Sequence, residues 1–451
     1  MTSFPLLTHQ DPGHVLAWRN EKPVTVAHFL ADVCHLAQAL PAGRHVLNAC
    51  TDRYRFTVGL AAALVADKIS LLPPTLAPEM VRQLQDFAPD VFCLTDQQSK
   101  VGLWQFSWFD AMGCGRRTEV REVPMIPASR TLAVMFTSGS TGMPLAQQKT
   151  WGSVVRSVRA EAACLGLLDG RRHSIVATVP PQHMYGLEST VLIALQSGAA
   201  MSAAHPFYPA DICSALAATP RPTMLVTTPT HLKVLLASGL DIPRPDLVLS
   251  ATAPMSPQLA IETEARLKAP LLEIYGSTET GQIAWRRTTQ TAEWTLFPGV
   301  SLLANQGRIW ATGGHVGEAV TMADELELVD DMHFLLHGRT ADLINIGGKR
   351  SSLGYLNHQL NAIPGVIDGV FFMPDEGAND KVTRLMVFAV APGLETSHLL
   401  TALRQRIDAL FMPRPMVLLD CLPRNSTGKL TRSTLKALAL EHQRTGTAHA
   451  R

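Results

Sequence analysis

The sequence predicts an α/β protein with a large N-terminal domain followed by a smaller α+β domain. With 451 residues, 46% of them hydrophobic, the chain is long enough to form two cores. Short apolar runs alternate with segments of helical spacing through the first three quarters of the chain. This alternation is typical of parallel sheets covered by helices. After Gly338 the strands become shorter and less regular, which indicates a separate compact unit.

The large domain, residues 1–338, is predicted to contain layered, mostly parallel sheets. Runs rich in Val, Ile, Leu and Thr predict buried strands at Ser174–Val179, Thr223–Thr228, Leu247–Ser250 and Leu271–Tyr275. Helical spacing predicts helices over Thr230–Ser238 and Ser256–Lys268, and Ser256 is suited to cap the second helix. Because such sheets bind ligands at the carboxyl ends of their strands, four segments are candidates for a site: Thr137–Gly142, Pro180–Gly186, Ser250–Pro254 and Tyr275–Glu279.

The small domain is predicted over residues 343–451, after a hinge at residues 339–342. Its predicted strands are Leu343–Ile346, Val366–Met373, Leu385–Ala391 and Met416–Leu419. Its predicted helices lie near Ser352–Asn361, His398–Leu410 and Leu430–His442. The tail from Gln443 lacks apolar periodicity and is predicted to be disordered.

Composition argues against several classes of partner. The net charge is +1 and like charges form no long block, so neither nucleic acid nor an anionic membrane surface is expected to bind. The seven cysteines lack metal or disulfide spacing and are expected to be reduced, mostly buried thiols. No signal-peptide pattern or long apolar run is present. These features predict a cytoplasmic protein without membrane insertion.

The most informative segment directly follows the apolar run Leu132–Phe136 and consists of Thr137, Ser138, Gly139, Ser140, Thr141 and Gly142. Glycines at a strand end expose backbone N–H groups, and short hydroxyl side chains add further hydrogen-bond donors. A polyphosphate needs donors of both kinds. No Gly-Lys-Ser/Thr follows, which argues against a Walker loop. A linker has the same composition, so this segment alone leaves both interpretations open.

Three further motifs follow in order. The first ends a predicted strand and consists of Tyr275, Gly276, Ser277, Thr278 and Glu279. A carboxylate beside hydroxyls there is suited to Mg²⁺ shared with phosphate oxygens. In the second motif, Asp324 can accept from ribose hydroxyls and Arg339 can donate to sugar or phosphate. The third is a glycine turn, Pro423–Leu430, that presents Lys429.

In this order and spacing, the motifs resemble the adenylate-forming superfamily of acyl- and aryl-CoA synthetases, peptide-synthetase adenylation domains and luciferases. The stretches Met143–Trp151 and Val179–Glu188 resemble stand-alone AMP-ligases of aryl polyene and xanthomonadin-type pigment clusters. The resemblance implies that ATP activates a carboxylic acid as its adenylate and that a mobile small domain closes over the site. It also implies an aromatic acid, such as a hydroxybenzoate or a cinnamate-like starter, and transfer to the phosphopantetheine thiol of an acyl carrier protein.

The resemblance also assigns roles to the motifs. Lys429 would bridge the acid and the α-phosphate, Thr278 would donate to the α-phosphate, and Glu279 would hold Mg²⁺. The loop Thr137–Gly142 would surround the departing phosphates. These roles match the chemistry, because two anions must be neutralised and held in line for reaction.

The acid is expected near His183, Tyr185, Gly186, Ser250, Ala251, Thr252 and Gly281. A histidine at a strand end is otherwise often structural, and a helix cap explains Thr227–Thr230 as well as a pocket wall does. For the pantetheine arm, the resemblance indicates a passage at Gly347, Gly348 and Lys349. A hairpin turn after Leu343–Ile346 is the alternative interpretation.

The sequence departs from the superfamily pattern at three places. Leu145 replaces the lysine that usually ends the phosphate loop, while Lys149 lies four residues later. Ala341 occupies the usual hinge position, and the start of the first small-domain helix carries Leu353, Tyr355 and Asn357. Two alternatives therefore stay open: free CoA as the acceptor, and a nucleotide-binding protein without turnover. Retention of the other motif residues argues against the second.

Overall fold

The computed structural model describes residues 2–97, 101–108, 112, 120, 122–138, 144–339, 343–346, 349–374, 384–424 and 430–448. For residues 137, 138, 144, 339, 343, 345, 349–352 and 443–448 it describes the backbone alone.

The strands in this part of the chain are β1 (Ser3–Pro5), β2 (Val15–Arg19), β3 (Lys22–Thr25), β4 (His45–Asn48), β5 (Ile69–Leu72), β6 (Phe92–Thr95), β7 (Gln105–Ser107), β8 (Met125–Pro127), β9 (Thr131–Ser138), β10 (Pro144–Thr150), β11 (Ser174–Ala177), β12 (Ala200–Ser202), β13 (Thr223–Thr227), β14 (Leu247–Ser250), β15 (Leu271–Ser277), β16 (Gly281–Arg286), β17 (Trp294–Leu296), β18 (Val300–Asn305), β19 (Arg308–Gly313), β20 (Gly317–Thr321), β21 (Asp324–Leu328), β22 (His333–Arg339), β23 (Leu343–Ile346), β24 (Lys349–Ser352), β25 (Asp368–Phe372), β26 (Met386–Val390) and β27 (Met416–Leu418).

The helices are α1 (Val26–Ala39), α2 (Arg53–Val65), α3 (Pro78–Phe87), α4 (Trp151–Cys164), α5 (Met184–Gly186), α6 (Ile193–Ser197), α7 (Pro209–Ala218), α8 (Pro229–Ala237), α9 (Pro257–Leu267), α10 (Leu353–Asn361), α11 (Thr396–Arg404) and α12 (Arg432–Ala448). A π-helical segment, Leu187–Leu192, joins α5 to α6, and Ala409–Phe411 forms a 3₁₀ turn.

Two large sheets build the first 339 residues. The eleven-stranded sheet has the order β21-β22-β17-β16-β15-β14-β13-β11-β12-β2-β3, and its central run from β15 to β2 is parallel. The six-stranded sheet has the order β10-β9-β5-β4-β6-β7 and is antiparallel only between β9 and β10. The predicted class of layered, mostly parallel sheets is therefore confirmed.

The largest apolar cluster lies between these sheets. It joins Met135 of the six-stranded sheet and Ile274 of the eleven-stranded sheet with side chains of the intervening helices, including Phe29 and Trp151. Because parallel strands bury both faces, such strands are almost wholly apolar. Strand β13, Thr223–Thr227, is buried at every position. This core fixes the strands whose carboxyl ends carry the candidate site segments.

The last part of the chain has its own packing. Strands β25 and β26 are antiparallel, β27 joins β26 in parallel, and β23 and β24 form a hairpin. Two apolar clusters here draw only on described residues from Ile344 onward. We propose on this basis that residues 343–451 form the small domain; residues 340–342 of the predicted hinge lie outside the described part.

The predicted disorder from Gln443 is wrong for most of that tail, because α12 continues to Ala448. The helix is anchored by Leu435 and Ala439, which are buried in the second small cluster. Once a helix is nucleated, each further residue adds a hydrogen bond at low entropic cost, so the backbone continues without apolar periodicity.

The six described cysteines are free thiols, as expected, but only part of the set is buried. Cys50 and Cys93 are buried, whereas Cys421 is exposed. Within the described residues, no helix combines the length and apolar character needed to cross a membrane.

Candidate nucleotide and acid site

The parallel strands bring three predicted segments to one edge of the eleven-stranded sheet. Strands β11, β13, β14 and β15 are neighbours, and Thr227 pairs with Ser250, which in turn pairs with Glu273. The segments that follow these strands therefore emerge side by side: Pro180–Gly186, Ser250–Pro254 and Tyr275–Glu279. This edge is the candidate site.

The predicted metal motif forms the turn of the β15–β16 hairpin. Ser277 pairs with Gly281, so Thr278 and Glu279 lie at the tip, each half-buried. Thr280 closes the turn, because its Oγ1 accepts from the Ser277 amide at 3.1 Å. Gly276 is required here: a Cβ at this position would lie 2.2 Å from the Gly281 carbonyl oxygen. The turn is thus fixed by its own hydrogen bonds and close packing.

A hydrogen bond joins two motifs that are far apart in the sequence. Tyr275 Oη donates to Asp324 Oδ2 at 2.6 Å. The tyrosine ring is held between Trp294 and Phe334, with centroid distances of 5.5 and 5.6 Å. Asp324 pairs with Arg339 across β21 and β22. The predicted ribose-binding residues are therefore brought beside the hairpin, although the Arg339 side chain lies outside the description.

Lys149 supplies a cation at this hairpin from the six-stranded sheet. Its Nζ donates to the main-chain carbonyl of Glu279 at 3.0 Å, and only 8% of the residue is exposed. Burial lowers the pKa of Lys149, while Glu188 and Glu279 act in the opposite direction. Leu145, at the usual lysine position, is 55% exposed. Lys149 thus contacts the predicted metal motif, although the sequence motifs assign it no role.

The predicted phosphate loop lies between two paired strands. Ser138 of β9 pairs with Pro144 of β10. Gly139, Ser140, Thr141 and Gly142 fall outside the described residues, as do the side chains of Thr137 and Ser138. Their assignment to phosphate stays a prediction.

The segment containing His183 begins a short helical turn. His183 is the residue before α5, and the Leu187 amide donates to its carbonyl at 2.7 Å. Gly186 packs so closely that a Cβ there would lie 2.0 Å from the Pro180 carbonyl oxygen. Tyr185 Oη donates to the Leu249 carbonyl at 3.0 Å, and burial raises its pKa. The turn is therefore tied to the end of β14.

Four of the predicted acid-pocket residues line one cavity, which is largely apolar: His183, Tyr185, Gly186 and Thr252. Thr252 has a φ of +77°, which is strained for a β-branched residue. Ser250 and Ala251 are buried beside it but do not line it. Thr228 both lines this cavity and caps α8, since its Oγ1 accepts from the His231 amide at 3.3 Å. The two interpretations of Thr228 are therefore compatible.

Gly281, the remaining predicted pocket residue, lines a second, more polar cavity to which Met184 also contributes. Glu188 of the π-helical segment and His315 line the same cavity, as does Lys149. Burial raises the pKa of Glu188 to about 7 and lowers that of His315 to about 4. Neither Glu188 nor His315 was predicted from the sequence as a site residue. The position of Glu188 at the end of the motif stretch Val179–Glu188 was the available signal.

A second buried carboxyl, that of Glu161, interacts with Glu188. Glu161 is fully buried, and burial raises its pKa to about 8. With its amide oriented to suit its neighbours, Gln282 donates to the two Glu161 oxygens at 3.0 and 3.2 Å and accepts from Ser189 Oγ at 2.8 Å. Glu161 is thus a largely neutral, hydrogen-bonded group at pH 7.

Arg53 was also missed by sequence reasoning. It is fully buried in α2, and its guanidinium donates to the carbonyls of Ser202 at 3.0 Å, Ala177 at 2.9 Å and Val179 at 3.1 Å. Burial lowers its pKa to about 10. Arg53 therefore fixes the carboxyl end of β11, where the His183 segment begins. An arginine in an apolar, alanine-rich helix was its only signal.

Some of the predicted site residues belong to the small domain or to the hinge before it. Lys429, Ala341, Gly347 and Gly348 lie outside the described residues. Lys349 is described by its backbone, which pairs with Ile346 across the β23–β24 hairpin. The hairpin alternative therefore holds for the flanking strands, while passage of a pantetheine arm stays a prediction.

The predicted Mg²⁺ site at Glu279 can be compared with the metal-ligating side chains that the structure describes. Among the described residues, no group of three or more His, Cys, Asp or Glu is arranged to hold a metal. A cation at Glu279 would need most of its oxygen ligands from a nucleotide and water, as Mg²⁺ in phosphate sites commonly does.

Comparison with known proteins places this site in a family. The model of the AMP-binding enzyme family matches residues 9–356. A 4-coumarate–CoA ligase from Rhodobacter capsulatus is 31% identical over 234 residues, which are 52% of this chain and 58% of that protein. A 4-coumarate–CoA ligase from Halorhodospira halophila is 29% identical over 310 residues, 65% of this chain and 73% of that protein.

Solved structures agree on the fold. The o-succinylbenzoate CoA synthetase of Bacillus subtilis, in complex with its acyl-adenylate intermediate, matches with a TM-score of 0.81 at 19% identity, covering 97% of this chain and 99% of that one. The same enzyme with ATP and magnesium ion matches with a TM-score of 0.80 at 20% identity, covering 95% and 97%. The chain belongs to the AMP-binding enzyme family, the adenylate-forming superfamily that its motifs resemble.

Proposed function

We propose that the protein uses ATP to convert a carboxylic acid into an acyl-adenylate, releasing pyrophosphate, and then transfers the acyl group to a phosphopantetheine thiol. The observation that carries this proposal is the meeting of separate motifs at one sheet edge. There the Glu279 hairpin is bonded to Lys149 and lies beside the Tyr275–Asp324 pair. Family membership and CoA-ligase relatives support it.

In this proposal, Asp324 and Tyr275 hold the nucleoside, and Thr278 donates to the α-phosphate. Glu279 holds Mg²⁺, which neutralises phosphate charge when bound. Lys429 brings a further positive charge from the small domain to the reacting oxygens. Such preorganised charges favour a transition state in which two anions meet.

We propose an aromatic acid as the substrate, bound along the turn Met184–Gly186. The turn contributes Met184 to a polar cavity and Tyr185 and Gly186 to an apolar one, so it suits a ring with a polar substituent. The two relatives named for 4-coumarate support an aromatic acid. The resemblance of Met143–Trp151 and Val179–Glu188 to pigment-cluster ligases supports a hydroxybenzoate or cinnamate-like starter.

The acceptor is proposed to be a thiol on an acyl carrier protein, reached past Gly347, Gly348 and Lys349. Free CoA is the second candidate, favoured by the CoA-ligase names of the relatives. Both acceptors present the same phosphopantetheine arm, so the chemistry at the site is shared.

Acid-dependent ATP–pyrophosphate exchange tests the first step. A panel of benzoic, cinnamic and fatty acids should give exchange with at least one aromatic acid and little with long fatty acids. Silence across the panel would instead favour a nucleotide-binding protein without turnover. For the second step, the active acid is offered with CoA or with a holo carrier protein, and the thioester is identified by mass.

A further inference from the structure

The polar cavity beneath the β15–β16 hairpin contains a buried carboxylate oxygen that no described residue satisfies. Glu188 is 1% exposed, and its Oε1 accepts from Ser157 Oγ at 3.0 Å. Its Oε2 has no hydrogen-bond partner within the described part of the chain. An unpaired buried polar atom costs on the order of 1–3 kcal/mol. Glu188 therefore presents unused hydrogen-bonding capacity to the cavity that it lines.

His315 faces the same space. It is 5% exposed, and its Nε2 also lacks a partner among the residues that the structure describes. Gly281 keeps the space open: a Cβ there would lie 3.3 Å from Glu188 Oε1, 3.6 Å from His315 Cδ2 and 3.6 Å from Ser157 Oγ. The Glu188 carboxylate, the His315 imidazole and the Ser157 hydroxyl thus surround the space next to Gly281, which has no side chain to fill it.

The charges around the cavity restrict what it can bind. Each charged group would meet one like charge as well as one opposite charge, because a second carboxylate would lie beside Glu188 as well as Lys149 and an ammonium group beside Lys149 as well as Glu188. A neutral group that both donates and accepts avoids both conflicts. A hydroxyl does so with one oxygen, donating its single proton to Glu188 and accepting from His315 when that ring carries its proton on Nε2.

The cavity also lies next to the proposed reacting centre. Thr280 and Gly281 of its lining directly follow Thr278 and Glu279, and Met184 directly follows His183. A group bound here can therefore belong to an acid whose carboxyl end lies at the hairpin tip.

We propose that this cavity is a specificity-determining subsite in which Glu188 and His315 bind a ring hydroxyl of the acid and exclude acids with a second carboxylate. The proposal rests on the proposed function for its substrate but not for its binding chemistry. It makes Glu188 the residue that distinguishes a hydroxylated acid from its deoxy partner.

The test compares matched acids with the full-length protein. Exchange kinetics are measured for 3- and 4-hydroxybenzoate and 4-hydroxycinnamate against their deoxy, methoxy and dicarboxylate analogues. At least one hydroxy acid should exceed its deoxy partner at least tenfold in kcat/KM, with the methoxy and dicarboxylate analogues lower still. In Glu188→Leu this ratio should fall to within threefold, because the deoxy acid loses nothing while the hydroxy acid loses its acceptor.

The wild-type ratios need no variant, so the proposal can be tested even if Glu188→Leu fails to fold. Ratios within threefold for every pair, or an unchanged ratio in Glu188→Leu, would show that the cavity holds water only. Calorimetric binding of the same acids separates the two proposals. Discrimination in binding without exchange would support the subsite and refute the ligase activity, whereas exchange without discrimination would do the reverse.

Discussion

At the residue scale, Lys149 shows why the sequence alone left part of the site open. The missing loop lysine at Leu145 was visible in the motif, but the Lys149 contact depends on pairing of β9 with β10 and on packing between two sheets. Glu188 and His315 were missed for the same reason, since they lie 127 residues apart (315 − 188) and meet only in the folded cavity. Tyr275 and Asp324 were predicted because each lies in a motif.

Lys149→Met should weaken Mg²⁺ use without abolishing the fold. The substitution keeps the length of the side chain but removes the hydrogen bond to the Glu279 carbonyl, so the hairpin tip loses its fixed position. Loss of a residue that orients a metal ligand typically costs about tenfold or more in affinity. We expect the Mg²⁺ concentration for half-maximal exchange to rise about tenfold.

Glu279→Gln is the companion variant, because it should also raise the Mg²⁺ concentration for half-maximal exchange. The exposed Leu145 offers a control: Leu145→Ala should leave the Mg²⁺ titration unchanged. If Lys149→Met titrates like the wild type, the positioning role of Lys149 is wrong.

Glu161→Gln should stabilise the protein increasingly as the pH rises. The folded-state pKa of Glu161 is raised from 4.5 to about 8, so the folded protein retains a proton that the unfolded chain releases above pH 4.5. Stability is therefore lost as the pH rises from 4.5 to 8. Each pKa unit corresponds to about 1.4 kcal/mol, so the rise from 4.5 to about 8 corresponds to a gain on the order of 5 kcal/mol above pH 8.

Urea unfolding of wild type and Glu161→Gln from pH 5 to 8 measures this difference. Taking the difference cancels the contributions of groups that do not interact with Glu161, whereas Glu188, Tyr185 and Cys164 interact with it and contribute to the difference. Two parallel profiles would mean that Glu161 is ionised in the folded protein.

At the element scale, the buried parallel strands were predicted well, whereas the π-helical segment and the antiparallel edges of the sheets were not. The predicted strand Leu247–Ser250 is exact, and Leu271–Tyr275 was extended by two residues because β15 continues into a hairpin. Buried parallel strands can be recognised in a sequence as short apolar runs bounded by polar residues. The π-helical segment Leu187–Leu192 and the antiparallel sheet edges carry no comparable local pattern, since they depend on packing against neighbours.

Gly186→Ala tests how tightly the His183 turn is built. The added methyl group would lie 2.0 Å from the Pro180 carbonyl oxygen, so the turn must shift and take His183 with it. Overpacking of this kind costs about 1–3 kcal/mol. We expect lower thermal stability and at least a tenfold loss of exchange activity. Gly102→Ala is the matched control, because nothing lies within 4 Å of its added Cβ; equal behaviour of the two variants would contradict this account.

At the scale of the whole molecule, the resemblance predicted a family that the comparison confirmed, from motifs spread between Thr137 and Lys429. The division into two domains stays a proposal, supported by separate apolar clusters on either side of residues 339–343. Lys233 of α8 donates to the Ile367 carbonyl at 3.2 Å and so links the two parts. Sequence patterns do not encode this contact, because it depends on how the two units are placed.

The most direct measurement is acid-dependent ATP–pyrophosphate exchange in the wild type and in Lys429→Ala, followed by thioester formation from a supplied adenylate. We expect exchange only in the presence of the acid, and at least a hundredfold loss in Lys429→Ala, because that lysine neutralises charge only during adenylation. Thioester formation from the adenylate should persist in the variant. Exchange that does not depend on the acid, or that survives the loss of Lys429, would mean that Lys429 does not join ATP to a carboxylic acid in this protein.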